Sequence, residues 1–356
     1  MKKSKICLAA GLMAAVLLSG CAGGGQTQAE TQPATQTEAE TKAETKAETE
    51  AESQSETQTD AETKAAEQKG DITVTYVKSP LNVPSIVEKD QGIFAEVFGA
   101  EGYGVKYSDL TTGPEQTQAL ASGDIQFLNA VGATSVILSA SNGGDVKIIS
   151  MYSRSPKAFK LFAKDDSIQS PEDLRGKKVA GPKGTILHEL LVAYLATGGM
   201  TEDDIEFMAM GIPDSQAALV GGSVDAALLA GPAAYNMEKD GYAVVTDGEG
   251  LTEASIVTAT SSKFYEEHPE LVKAFLTAQK KTLDFMEQNY DQAVAATAAE
   301  TELTEDAVKE MYGLYDFSMD ITDTDIAAME KTKDFMLNNK MIENDVNIQD
   351  LILDVK

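Results

Sequence analysis

The stretch VAGPKGTI, residues 179–186, decides the fold. A predicted strand ends at Ala180, a glycine-rich loop turns the chain, and a predicted helix begins at Thr185. The first turn of a helix leaves backbone N–H groups unpaired, and Gly184 has no side chain to hold a ligand away from them. We therefore expect Gly184 and Thr185 to contact an anionic or polar ligand. A strand-to-helix turn that binds nothing is the alternative.

The same strand-then-helix order repeats on both sides of this stretch. Predicted strands over 72–77, 103–107, 125–129 and 146–152 alternate with amphipathic runs over 84–98, 116–121 and 133–140, and the alternation continues through 158–259. After Pro269 the pattern becomes helical. The alternation predicts an α/β fold, with parallel strands and crossover helices, followed by a helical C-terminal section.

Residues that follow the predicted strands are the candidate ligand contacts, because ligands bind beyond the carboxyl ends of strands in open α/β sheets. In the first half of the folded part they are Asn82, Thr112, Gly113, Asn129, Val131, Gly132, Ala133 and Thr134. In the second half they are Gly184, Thr185, Asp214, Gly231 and Pro232. Any one of them, taken singly, could instead be only a turn residue.

The chain begins with a basic start and a short apolar run that ends at a cysteine. The apolar run over 6–18 is too short to cross a bilayer comfortably and suits a signal peptide. The run LSGC over 18–21 resembles a bacterial lipobox. It predicts a lipoprotein signal peptide over 1–20 and a lipid, such as palmitate, on Cys21. The protein is then expected outside the cytoplasm and anchored to the cell membrane, on the outer face in a Gram-positive or the periplasmic side in a Gram-negative.

Residues 21–70 have the composition of a tether. From 22 to 70 there is no aromatic residue and no Val, Ile, Leu or Met, and residues 26–69 carry 11 acidic side chains against 4 lysines. Such a segment cannot bury enough apolar surface to offset the entropy lost on ordering. We predict that residues 21–70 form a disordered acidic tether.

Charge and residue usage exclude several function classes for the remainder. The chain has a net charge of −28, most of it beyond residue 70, which argues against nucleic-acid binding. The only cysteines, Cys7 and Cys21, lie in the leader region, so the folded part has no thiol nucleophile. His188 and Glu189 begin like a zinc motif, but Val192 replaces the second histidine. We predict no metal, no cofactor and no enzymatic activity.

Four blocks together resemble the NMT1/THI5-like solute-binding proteins of ABC importers, the nitrate, sulfonate, taurine and thiamine-precursor group. The blocks are ALASGDI over 119–125, DLRGKKVA over 173–180, ALVGGSVDA over 218–226 and SKFYEEHPE over 262–270. The resemblance covers about residues 71–315. It implies a type II periplasmic-binding-protein fold, in which two α/β lobes are joined by two crossing strands and the ligand lies in the cleft.

The resemblance also implies bounds for the two lobes and a set of possible solutes. Lobe 1 would comprise 71–154 and 258–356, and lobe 2 would comprise 158–250. Arg154 and Lys157 are the basic residues expected nearest the cleft. The chain lacks the Trp found in many sulfonate-binding members, so a sulfonate, a nitrate-like anion and a pyrimidine or amine all stay open as solutes.

The function expected from this resemblance is capture of a small solute and its delivery to an ABC permease with its ATPase. We expect a monomer that leaves the solute unchanged. A sensor or adhesion lipoprotein that uses the same fold without transport is the first alternative, and an extracytoplasmic enzyme is the second.

Overall fold

The computed structural model describes residues 68–355. The predicted signal peptide (1–20), Cys21 and residues 22–67 of the predicted tether lie outside the described residues. Lys69 and Gly70, which the sequence placed in the tether, belong to the folded part. The Lys69 N–H donates to the Gly102 carbonyl at 2.8 Å, and Gly70 begins the first strand.

The described part alternates strands and helices as far as residue 260 and is helical after that. Its strands are β1 (Gly70–Thr75), β2 (Tyr103–Ser108), β3 (Leu128–Gly132), β4 (Lys147–Arg154), β5 (Phe159–Ala163), β6 (Lys178–Gly181), β7 (Glu206–Ala209), β8 (Ala226–Ala230), β9 (Ala243–Asp247) and β10 (Ser255–Thr260). Its α-helices are α1 (Val83–Asp90), α2 (Ile93–Ala100), α3 (Gly113–Ser122), α4 (Ala133–Ser141), α5 (Ile186–Thr197), α6 (Ile212–Val220), α7 (Gly231–Lys239), α8 (Ser262–Glu267), α9 (Pro269–Gln288), α10 (Tyr290–Thr301), α11 (Glu305–Tyr312), α12 (Asp323–Asn338) and α13 (Ile348–Leu351).

The first lobe is built on β1, β2, β3, β4 and β10. β1 pairs with β2 in parallel, and a bridge between Val74 and Phe127 links β1 to the start of β3. β10 lies between β3 and β4 and runs antiparallel to both. Phe94, Phe98 and Phe275 are fully buried around Phe127, whose ring stacks on Phe275 at 4.5 Å.

The second lobe is a five-stranded sheet in the order β7-β6-β8-β5-β9. β6 is parallel to β7 and β8, whereas β5 is antiparallel to β8 and β9. The expectation of parallel strands is therefore wrong for β5 and β10. These are the strands through which the chain enters the second lobe and returns to the first, so no crossover helix sets their direction.

Two short segments connect the lobes, residues 155–158 between β4 and β5 and residues 248–254 between β9 and β10. Two local predictions also need correction. The single helix expected over 84–98 is divided into α1 and α2 at Gly92, whose φ of 65° interrupts a helix. β3 begins three residues later than expected, so Asn129 and Val131 lie within the strand. None of the helices in residues 68–355 has the length and apolar character needed to cross a membrane.

Candidate ligand-binding site

A cavity of about 400 Å³ lies between the two lobes. Its size falls within the range typical of small-molecule sites. From the first lobe it is lined by Val77, Lys78, Ser79, Pro80, Asp109, Thr111, Thr112, Gly113, Gln116, Ala130, Gly132, Ser135 and Ile256. From the second lobe it is lined by Phe159, Pro182, Thr185, Ile186, Leu187, Ile212, Pro213, Gln216, Ala230, Pro232 and Ala233.

Five helices begin at this cavity, and each contributes residues of its first turn or its cap to the lining. They are α3 and α4 from the first lobe and α5, α6 and α7 from the second. Each helix follows a strand, as expected for a site at the carboxyl ends of the sheets. The positive ends of their backbone dipoles therefore point toward one small volume.

Most of these helix ends have no side-chain cap. At α3, Thr112 and Glu115 form a reciprocal capping box. At α4, α5, α6 and α7, no side chain accepts a hydrogen bond from the first turn. Backbone N–H groups at these ends therefore remain available to an anionic or polar group in the cavity.

The remaining lining is mainly apolar and carries little charge. Phe159, Ile186 and Ile256 belong to the apolar wall. Among the lining residues only Lys78 and Asp109 are charged. The Lys78 Nζ lies 3.3 Å from a carboxylate oxygen of Glu300, so its charge is already paired. The cavity can accommodate a small molecule with one polar or anionic end and an apolar remainder.

The structure places five of the predicted contacts in the lining of this cavity: Thr112, Gly113, Gly132, Thr185 and Pro232. They come from four different strand-to-helix turns, so these turns lie together at one cavity, and ligand contact by each residue stays a prediction. Asp214 and Ala133 lie one or two residues from lining positions but are not in the lining themselves, since Asp214 is exposed and Ala133 is buried. Sequence reasoning missed Gln116, Phe159 and Ile256.

Four other predicted contacts are buried beside the cavity and do not line it. Asn82 Nδ2 donates to the Val77 carbonyl at 2.8 Å and so fixes the loop before α1. Asn129 Nδ2 donates to Glu88 at 2.6 Å. Val131 is part of the core of the first lobe. Thr134 Oγ1 donates to Glu189 at 2.5 Å, across the boundary between the lobes.

The two basic residues expected at the cleft are engaged elsewhere. Arg154 makes a two-point contact with Asp325, with Nε 2.5 Å from Oδ1 and Nη2 2.7 Å from Oδ2. Lys157 pairs with Glu249 at 2.9 Å on the surface. Nearby carboxylates take both charges and neither residue lines the cavity, so the structure does not place these two basic residues at the cleft as expected.

Gly184 and Gly231 mark places where the lobes touch. The Gly184 carbonyl accepts a hydrogen bond from Ser135 Oγ of the first lobe at 2.8 Å. At Gly231 a Cβ atom would lie 1.7 Å from the Pro80 carbonyl oxygen, and φ is +62°, so only glycine fits there without movement. Both glycines therefore permit close approach of the lobes and do not line the cavity.

Glu189 occupies the centre of a buried contact between the lobes. It belongs to α5, is only 3% exposed, and accepts hydrogen bonds from Thr134 at 2.5 Å and from Thr332 of α12 at 3.0 Å. Burial raises the pKa of Glu189 to about 7, although the threonine hydroxyls, including that of Thr252, act to lower it. Both lobes and one connecting segment therefore meet at this carboxyl group.

A second buried carboxyl group lies behind the cavity. Glu88 of α1 is fully buried and accepts a hydrogen bond from Asn129 Nδ2. Asn129 directly precedes Ala130, which lines the cavity. Burial raises the pKa of Glu88 to about 8, with the hydrogen bond from Asn129 opposing the rise. Burial therefore favours the protonated form of Glu88 at neutral pH. In the described residues, no group of three His, Cys, Asp or Glu side chains is placed to hold a metal ion.

Comparison with known proteins identifies the family. The family model described as NMT1/THI5 like matches residues 79–293, more than half of the chain. The chain belongs to the NMT1/THI5-like family. A Bacillus subtilis (strain 168) protein whose name refers to the binding of aliphatic sulfonates is 28% identical over 276 residues, 76% of this chain and 82% of that protein. The taurine-binding periplasmic protein of Escherichia coli (strain K12) is 32% identical over 212 residues, 58% of this chain and 64% of that protein.

Solved structures define the fold of this family member. The alkanesulfonate-binding protein SsuA from Xanthomonas axonopodis pv. citri, bound to MOPS, superposes with a TM-score of 0.73 at 20% identity, covering 81% of this chain and 99% of that one. The fold is thus the type II periplasmic-binding-protein fold, and its two α/β lobes are joined by the segments 155–158 and 248–254. The fold class implied by the sequence blocks is confirmed.

Proposed function

We propose that this protein captures a small organic sulfonate in the cavity between its lobes and delivers it to an ABC importer permease and its ATPase. The proposal includes a lipid anchor on Cys21, an extracytoplasmic location and a monomeric state. Relatives named for aliphatic sulfonates and taurine support the solute class.

The observation that carries the proposal is the convergence of five helix N-termini on one cavity with apolar walls. A sulfonate group has three oxygens that accept hydrogen bonds and one negative charge, which suits several uncapped helix ends at once. An organic substituent suits a wall that includes Phe159, Ile186 and Ile256. Both halves of such a solute therefore have a matching surface.

The alternatives within the family fit less well. A nitrate ion has four heavy atoms and would leave most of a cavity of about 400 Å³ unfilled, losing packing contacts along the apolar wall. A simple amine would place its positive charge near the positive ends of five helices. A neutral pyrimidine remains compatible with the apolar wall but makes no use of the dipoles.

Closure of the two lobes is the mechanism we propose for capture. We take lobe 1 as 70–154 with 255–356 and lobe 2 as 159–247, so that the hinge is formed by the connecting segments 155–158 and 248–254. The contacts of Ser135 with Gly184 and of Thr134 with Glu189 would form on closure. A bound solute stabilises the closed form only through its higher affinity for that form.

Isothermal titration calorimetry of the purified protein tests the solute class. The series comprises butanesulfonate, taurine, nitrate and a methylpyrimidine, and we expect one sulfonate per chain, recovered chemically unchanged. Ala233→Phe would fill the cavity from the start of α7, whereas Ala217→Phe adds the same bulk at an exposed site on α6. We expect binding to be lost only in Ala233→Phe. A sulfonate that binds equally to both variants would refute the site, and preferential binding of the pyrimidine would refute the solute class.

The anchor requires a separate experiment. Cells that express the chain are supplied with labelled palmitate, and Cys21→Ala is compared with Cys7→Ala. We expect label and membrane retention to be lost only in Cys21→Ala. Label that persists in this variant would contradict the assignment of Cys21.

A further inference from the structure

A second cavity, of about 380 Å³, lies in the helical C-terminal section and shares no lining residue with the cleft. Four aromatic side chains contribute to its wall: Tyr290, Tyr312, Tyr315 and Phe317. They come from the start of α10, the end of α11 and the segment that follows α11.

The four rings form a continuous aromatic surface. Tyr290 and Tyr312 meet edge to face at 5.2 Å, and Tyr312 meets Phe317 in the same way at 5.3 Å. Phe317 and Tyr315 are parallel, with an interplanar angle of 7° and a centroid distance of 5.4 Å. Tyr290 is 39% exposed, one of the few large apolar side chains in residues 68–355 to be so accessible. The aromatic surface therefore extends from the core to solvent.

Tyr315 lines the second cavity and also a neighbouring cavity of about 200 Å³, and its hydroxyl group indicates a ligand on one of these two sides. Tyr315 is 9% exposed, and its hydroxyl oxygen is buried without a hydrogen-bond partner among the described residues. A buried polar group without a partner carries a free-energy cost, so such groups are uncommon in folded proteins. A ligand that carries a hydroxyl or carbonyl group could supply the missing partner.

The charged groups around the second cavity are predominantly acidic. Glu287 and Asp316 line it, and both are exposed. Arg154 reaches the edge of this cavity: its Nη1 lies 3.4 Å from Asp316 Oδ2 and donates to Oγ of the lining residue Ser318 at 2.8 Å. The stronger contact of Arg154 is with Asp325 at 2.5 Å, so this guanidinium does not neutralise both lining carboxylates. An anion is disfavoured here, whereas a cation gains from the carboxylates and from the faces of the aromatic rings.

We propose that this second cavity binds a small quaternary ammonium compound that carries a hydroxyl group. The aromatic rings would surround the methylated nitrogen, Glu287 and Asp316 would balance its charge, and the Tyr315 hydroxyl would pair with the ligand hydroxyl. Asp316, which lines this cavity, forms a β-bridge with Arg154, the last residue of β4. The cavity therefore lies close to the first connecting segment, which follows Arg154. It is therefore separate from the sulfonate site in both position and charge preference.

The experiment uses the purified protein, with choline, tetramethylammonium and 3,3-dimethyl-1-butanol as probes. The last is a neutral compound of nearly the same shape as choline. Calorimetry should detect both cations and show at least tenfold weaker binding of the neutral alcohol. Tyr312→Leu and Tyr290→Leu should each weaken binding of both cations by roughly two- to thirtyfold, the range typical of a lost cation–π contact. Tyr265→Leu, in α8, is the matched control and should change nothing.

Two further comparisons make the assignment specific. Tyr315→Phe should weaken choline but not tetramethylammonium, because only choline has a hydroxyl group to lose a partner. Ala233→Phe, which blocks the cleft, should leave choline binding unchanged. The proposal is overturned if neither cation binds at millimolar concentration, if the neutral alcohol binds as well as choline, or if Ala233→Phe abolishes choline binding. Each variant is first compared with the unsubstituted protein by circular dichroism, and Tyr290→Leu, at an exposed position, decides the matter if Tyr312→Leu does not fold.

Discussion

Replacing Gly231 with alanine should prevent the lobes from closing fully. Gly231 begins α7 in the second lobe and faces the backbone of Pro80 in the first. The added Cβ would lie 1.7 Å from the Pro80 carbonyl oxygen, whereas real Cβ atoms essentially never approach another heavy atom within 3.0 Å. The two backbones would have to separate by at least about 1.3 Å.

This separation should weaken the closed form by a calculable amount. The Ser135–Gly184 and Thr134–Glu189 hydrogen bonds join the lobes, and each contributes roughly 0.5–1.5 kcal/mol. Their loss would make the free energy of closure less favourable by about 1–3 kcal/mol. The apparent solute affinity falls by the same factor, roughly five- to 150-fold, because only the closed form binds tightly.

The assay combines calorimetry with small-angle scattering, and Gly241→Ala is the matched control. Gly241 has φ +84°, so alanine there carries a similar backbone strain, but it has open space around it. We expect both variants to lose some stability and only Gly231→Ala to lose affinity and to scatter as a more open particle. If Gly231→Ala binds solute as tightly as Gly241→Ala, the inference that Gly231 permits closure is wrong.

Four further substitutions test carboxyl groups that are buried or paired. Burial raises the pKa of Glu88 to about 8 from an ordinary value of 4.5, so the folded form holds a proton that the unfolded form has lost between these pH values. The unfolding free energy should therefore fall by up to ~1.4 kcal/mol per unit as the pH rises from 4.5 to about 8. Urea titrations of Glu88→Gln should show a flatter pH profile than those of the unsubstituted protein. Glu189→Gln should flatten the dependence of unfolding free energy on pH between pH 4.5 and about 7 for the same reason. If either variant keeps the slope of the unsubstituted protein, the inference that burial raises these pKa values is wrong. Asp325→Asn should lower the unfolding free energy by roughly 2–4 kcal/mol because it leaves Arg154 without its main partner. Asp316→Asn, at an exposed and longer contact, should cost less than about 1 kcal/mol, and equal costs would show that the tighter contact is not the important one.

The position of the cavity was predictable because it follows from the local succession of strands and helices along the chain. Each strand-to-helix turn is encoded within about ten residues, and turns that follow neighbouring parallel strands meet at one edge of a sheet. This reasoning placed Gly113, Gly132 and Thr185 in the cavity wall. Phe159 and Ile256 were missed because they belong to β5 and β10, whose directions depend on how the chain passes between the lobes. The only signal for them was their position at the predicted lobe boundaries, near residue 158 and between residues 250 and 258.

The ion pair that Arg154 forms with Asp325 was not predictable from the residues that flank Arg154 in sequence. An arginine at the end of a strand is a reasonable anion contact, yet its main partner, Asp325, is 171 residues away in sequence. The acidic run that contains Asp316, Asp320 and Asp325 was visible in the sequence and could have indicated a competing partner. Burial of Glu189 against Thr332 is similarly a long-range contact, which periodicity cannot reveal.

The use of helix ends also explains how so acidic a chain could hold an anion. Charges on the surface are screened over about 8 Å at physiological ionic strength, so the acidic exterior acts weakly inside the cleft. Backbone N–H groups at α4, α5, α6 and α7 act at contact distance, in surroundings with a lower dielectric constant than water. A basic side chain in the cavity would instead be attracted by the many nearby carboxylates, as happens to Arg154 and Lys157. A carboxylate, that of Glu115, caps only α3 among the five helix ends, so the uncapped ends of α4 to α7 remain free to bind an anion in a protein of this charge.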